Sequence, residues 1–128
     1  MAANWTDTTY DQTLDYIATA TRVTIGNGTP PVAYAASYTG AIASYTLTAG
    51  SGNGDWLKAN GDTSGRKLTL LAQTGQNAGA STTADWLAFD VGTTFIGTID
   101  ADGQTANSGS PIDISQVDVL EVRDAINI

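Results

Sequence analysis

The chain has 128 residues, of which 41% are hydrophobic and 14% charged, and its formal net charge is −8. One domain of this length buries roughly two-thirds of its unfolded surface, and the abundance of Thr, Ser, Gly and Ala over charged residues points to a β-rich fold with a hydroxyl-covered surface. The acidic balance disfavours nucleic acid and anionic membranes as partners, and the absence of His and Cys removes Ser-His-Asp and Cys-His nucleophiles, disulfides and thiolate metal sites.

The first periodic stretch predicts a helix over residues 6–20. Thr6 or Asp7 serves as N-cap, and Tyr10, Leu14, Ile17 and Ala18 fall on one face at helical spacing. That stripe reads first as a cap over an open side of a sheet, and second as an amphipathic arm that docks on another chain. Trp5 is either a staple residue before the helix or the anchor of such an arm. Arg22–Gly26 alternates, with Val23 and Ile25 on one side, and predicts a strand that Asn27-Gly28-Thr29-Pro30-Pro31 breaks. Residues 32–44 are Ala-rich and broken, which predicts a surface meander with a short strand. Tyr45, Leu47 and Ala49 alternate against Thr46 and Thr48, as a strand does.

Gly50 to Asp55 reads as a flexible turn; no Gly-Lys-Ser/Thr follows, so it is not a phosphate loop. Trp56 and Leu57 restart apolar packing. Asn60–Gly65 then makes a tight turn into Arg66–Ala72, where Leu68, Leu70 and Ala72 share one side. Residues 73–83 predict an exposed loop. Trp86–Val91 and Thr94–Ile99 form the clearest hairpin, with Gly92 in the first position of a two-residue type II′ turn. Leu87, Phe89 and Val91 share a face, and Phe95 and Ile99 share a side of the second strand. A polar loop over residues 100–110, strands at 111–114 and 117–122, and an apolar-tipped tail ending in Ile126 and Ile128 complete the chain. The expectation is a mainly β, single-domain protein over residues 1–128. It is an antiparallel β-sandwich or partly closed barrel of about seven or eight short strands, spanning about 21–124, behind one N-terminal helix.

The residues offer little for catalysis, and no catalytic, cofactor or metal site is expected: the chain reads as not an enzyme. A Ser–Lys pair, Ser64 with Lys67, exists on paper, but in a turn followed by a strand Lys67 is most simply an exposed strand residue. Asp100-Ala101-Asp102-Gly103 has the wording of a calcium loop. An EF-hand loop, however, needs Gly at position six and Glu at twelve, and here Gly103 stands fourth and Pro111 twelfth. It reads as a solvated turn. Trp5, Trp56 and Trp86 read as core or interface groups before stacking platforms. The N-terminal residues lack the basic and apolar runs of a signal peptide, so a soluble protein made in the cytosol is expected.

Gly61-Asp62-x-Ser64-Gly65-Arg66-Lys67-Leu68-Thr69-Leu70 resembles the core segment of a family of small tailed-bacteriophage virion proteins. Ala84–Asp90 resembles that family's hydrophobic hairpin, and Val119–Asp124 the end of its closing strand. The bulk of Trp86 and Phe89 and the loop at 100–110 depart from the pattern. The resemblance implies a capsid cement or decoration subunit on the exterior of a phage head. Its partner would be the major capsid protein, and it would act as a homo-oligomer, a dimer or trimer. A neck, tail or fibre-associated virion protein is the alternative, and a carbohydrate-binding module or small hydrolase a second. Trp5, Tyr10, Ile126 and Ile128 are the candidate interface residues.

Overall fold

A computed structural model describes residues 5–123. The protein is mainly β, with one helix, and its sheets are antiparallel with none closed into a barrel. Among the described residues there are nine strands: seven have five or more residues, and two are two-residue pairs. The expected mainly β, antiparallel, sandwich-like class therefore stands. The chain folds as two compact units, each assembled from separate segments.

The first unit takes residues 1–19, 48–71 and 116–128. Its helix α1 (Asp7–Ile17) ends three residues short of the expected boundary. Thr6 caps it, with Oγ1 accepting from the Thr9 N–H at 3.3 Å. Tyr10 and Leu14 are the buried positions of its apolar stripe. Strands β3 (Trp56–Asn60), β4 (Arg66–Leu70) and β9 (Val117–Val122) pair in the order β3-β4-β9. The sequence signals β3 only as renewed apolar packing. Lys58, Ala59 and Asn60 are weak strand formers, and pairing to β4 overrides them.

The second unit takes residues 20–47 and 72–115. Its main sheet runs β2 (Ala41–Thr46), β1 (Arg22–Gly26), β6 (Trp86–Val91), β7 (Thr94–Asp100). β2 starts earlier than the Tyr45-Leu47-Ala49 alternation suggests. Its Ala- and Ser-rich run is held by β1, where Thr24 and Ser44 oppose each other with hydroxyls 3.0 Å apart. Trp86 through Asp90 are all buried, as a strand covered on both faces must be. Of the two turn residues only Gly92 has positive φ, +57°, which fits the expected type II′ geometry.

Two expectations fail here. A bulge in β7 sets Phe95 opposite Asp90 but Gly97 opposite Phe89, with Ile96 as the extra residue. Phe95 and Ile99 therefore lie on opposite faces of the sheet, not one. Residues 111–114 make no strand: Pro111 lacks an N–H for a ladder, and only isolated bridges Asn77–Pro111 and Gln73–Ile114 form. The loops beyond the hairpin are also more ordered than expected. Residues 73–84 run antiparallel to 104–114 through those bridges, through β5 (Thr82–Thr83) paired with β8 (Thr105–Ala106), and through Ala84 N–H to Gln104 O at 2.7 Å. The Tyr45 hydroxyl donates to the Ile112 carbonyl, and burial, then the Asp113 charge, pushes its phenol up.

Candidate functional site

The segment that carries the family resemblance folds as a turn locked on three sides within the first unit. Gly61 N–H donates to the Gly65 carbonyl at 2.9 Å, and Asp62 N–H donates to Glu121 Oε1 at 2.8 Å. Gly65 sits at φ +72°, and a Cβ there would lie 1.7 Å from the Val122 carbonyl oxygen, so the position admits no side chain. Lys67 Nζ bonds Asp62 Oδ1 at 2.9 Å and Asp118 Oδ2 at 3.4 Å, and Thr69 Oγ1 donates to Asp118 Oδ1 at 2.8 Å. The Asp62 hydrogen bond, then the Asp118 one, holds the Lys67 ammonium up in its charged form. Its hydrogen bonds run to Asp62 and Asp118, across the turn and to β9.

The same sheet binds the helix through charge. Arg66 Nε donates to Asp11 Oδ1 at 2.9 Å, while Lys58 Nζ reaches Asp15 Oδ1 at 2.7 Å and Asp11 Oδ2 at 3.4 Å. Asp11 and Asp15 stand four apart on the helix, a spacing at which like charges repel. Lys58 bridges them and relieves that repulsion. Burial raises the Asp11 carboxyl, but Arg66 and then Lys58 outweigh it and hold the group below its ordinary 3.8. Arg123 pairs with Glu121 at 2.9 Å and holds that carboxyl down.

The second unit holds a different arrangement, which the sequence does not single out. Arg22 grips Asp90 through Nε at 3.0 and 3.1 Å and Nη2 at 2.6 Å. Asp90 is 2% exposed, and Tyr38 Oη donates to its Oδ2 at 2.7 Å. Arg22 also donates to the Ala36 carbonyl at 2.9 Å and the Ala35 carbonyl at 2.8 Å. Its guanidinium lies 5.6 Å from the Tyr34 ring centre and 5.2 Å from that of Tyr38. The Asp90 hydrogen bond holds the guanidinium firmly charged, and burial, then Asp90, pushes the Tyr38 phenol up. Arg22 and Asp90 lie 68 residues apart and meet only because β1 pairs with β6. No spacing in the sequence signals that.

The candidate interface residues divide. Trp5 is 57% exposed, as a docking residue requires. Tyr10 is 6% exposed, so its ring is a core group and offers no contact surface. Ile126 and Ile128 lie outside the described residues. Trp56 and Trp86 are buried at 1% and 0%, which leaves Trp5 as the one tryptophan able to stack on a ligand. Tyr16, Leu57 and Leu120 are further exposed apolar groups of the first unit, and Val32 of the second. Asp100 accepts from the Asp102 N–H at 2.7 Å, an Asx turn, with Asp102 at φ +58°. Among the described residues no three acidic side chains converge to hold a metal ion, and no helix is long and apolar enough to cross a membrane.

All five basic side chains of the chain thus take part in ion pairs. Asp7, Asp85, Asp100, Asp102 and Asp113 are not among the partners in those pairs. Comparison with known proteins finds no matching family model, no matching curated protein and no matching solved structure.

Proposed function

We propose that this chain is a structural protein of a tailed-phage virion. It acts as a cement or decoration subunit that binds the major capsid protein on the outer surface of the head and stabilises the shell. The observation that carries this reading is the engagement of every basic side chain in intrachain pairs. What remains to face other molecules is acidic and hydroxylated. Such a surface repels packaged nucleic acid and suits the exterior of a particle. The resemblance of Gly61–Leu70 to small virion proteins supports the same reading. Identical subunits bound at symmetry axes would act as dimers or trimers.

Copy number in intact particles, measured by quantitative mass spectrometry, tests the proposal. Decoration expects copies on the order of hundreds, with head-surface density in electron cryomicroscopy. A small multiple of three, five or six would move the chain to a neck, tail or fibre. The carbohydrate-binding reading loses support from the burial of Trp56 and Trp86. It would return only if glycan binding were found and were lost in Trp5→Ala.

A further inference from the structure

Residues 27–40 of the second unit leave the sheet and return to it at one point. Asn27 N–H donates to the Gly40 carbonyl at 2.8 Å, closing the neck of an Ω-loop. At the neck Asn27 Nδ2 donates to the Thr83 carbonyl at 2.8 Å and to Asp85 Oδ2 at 3.0 Å, and the Gly28 N–H donates to Asp85 Oδ2 at 2.7 Å. Gly28 and Gly40, both at positive φ, flank it. The body of the loop touches the sheet through few groups. Among the described residues, the only hydrogen bonds from residues 29–37 to the sheet are the Ala35 and Ala36 carbonyls, and both accept from Arg22. Tyr38 adds its hydroxyl bond to Asp90 and edge-on ring contacts to Trp86 and Phe95 at 6.0 and 6.4 Å. Val32, at the far end, is 90% exposed.

Beneath the loop lies Trp86, 0% exposed, whose indole N–H has no hydrogen-bond partner among the described residues. A buried donor without an acceptor is satisfied as soon as water or another group reaches it. The closed protein therefore carries an unmet hydrogen bond at this indole.

We infer that residues 27–40 form a lid keyed by the Arg22 guanidinium. The lid lifts about its neck as one unit, with the sheet below intact, and uncovers the face made by Trp86, Ala88 and Phe95. Arg22 is the latch because one planar group holds two lid carbonyls and the buried Asp90 together. Lysine keeps the charge but loses that fork.

Native-state hydrogen exchange of the full chain, followed by NMR against low denaturant, tests this. The Ala41 amide, which donates to the Tyr38 carbonyl of the lid at 3.1 Å, and the Trp86 indole N–H are expected to exchange at one common rate, nearly independent of denaturant. The β1 and β6 amides should exchange more slowly and with a steep denaturant dependence. Arg22→Lys is expected to speed the Ala41 amide and the indole together, roughly tenfold. Val23→Ala changes a buried side chain on the opposite face of β1. It should speed the β1 and β6 amides roughly tenfold or more and leave the lid rate unmoved. The inference is overturned if Val23→Ala accelerates the lid equally, because lid and sheet then open only together. It is also overturned if the indole stays protected while the Ala41 amide exchanges by the denaturant-independent route.

Discussion

Both units join distant segments through arginine and aspartate, yet the two joints differ in kind. In the first unit Asp11 and Asp15 are 23% and 54% exposed and meet Arg66 and Lys58 at a helix–sheet seam that water reaches. In the second unit Asp90 is 2% exposed, and a guanidinium and a phenol satisfy its oxygens. Exposed pairs are worth little, because water competes for each partner. A buried pair need not add net stability either, but breaking it strands a charge. The seam tolerates change, and the latch does not.

The largest expected effect breaks the latch. Asp90→Ala should lower unfolding free energy by about 3–5 kcal/mol in denaturant titration, since Arg22 keeps its charge without its counter-ion. The double change Arg22→Leu with Asp90→Leu should cost less than Asp90→Ala alone. A larger loss would show the pair to be strongly favourable in itself. Next comes Gly65→Ala in the first unit. The left-handed backbone alone costs about 1–2 kcal/mol, and the clash with the Val122 carbonyl adds to it. The variant should lose protection of the β4 and β9 amides before those of the second unit.

A smaller effect is expected at the seam. Asp11→Asn should cost about 1 kcal/mol at neutral pH. Asp11 is held below its ordinary 3.8 in the folded state, so its contribution is present above that value. It is lost as pH falls through the lower folded value. The gap between wild type and Asp11→Asn should therefore close in acid below pH 3.8. A gap that stays constant to lower pH would show that charge is not what Asp11 contributes. The smallest effect on stability is expected at Trp5. Removing residues 1–5 should leave unfolding free energy within about 0.5 kcal/mol and, under the decoration reading, weaken binding to capsids. Unchanged capsid binding would dismiss the arm.

Local chemistry makes much of this legible. Thr6 as cap, the Tyr10 and Leu14 stripe, the β6–β7 hairpin and its Gly92 turn all follow from near neighbours in the chain. Gly61 to Leu70 also reads correctly as a turn into a strand, though its residues prove to serve the unit's own construction. What stays hidden depends on partners far away in sequence. β3 needs β4 to override weak propensity, and the β7 bulge flips Phe95 without any local mark. Arg22 and Asp90 look like ordinary surface charges until β1 and β6 pair. The lid reads in sequence as a turn and a meander, because nothing in its Ala-rich wording points to a guanidinium beneath it.

The order of segments within the first unit bears on synthesis. β4 pairs with β3 immediately before it but with β9 only after the whole run 72–115 has been made. At about 5–20 residues per second, the nascent Arg66–Leu70 edge stands open for seconds on the ribosome. Arg66 and Lys67 put two charges on that waiting strand, and charge on an open edge disfavours annealing by stray chains.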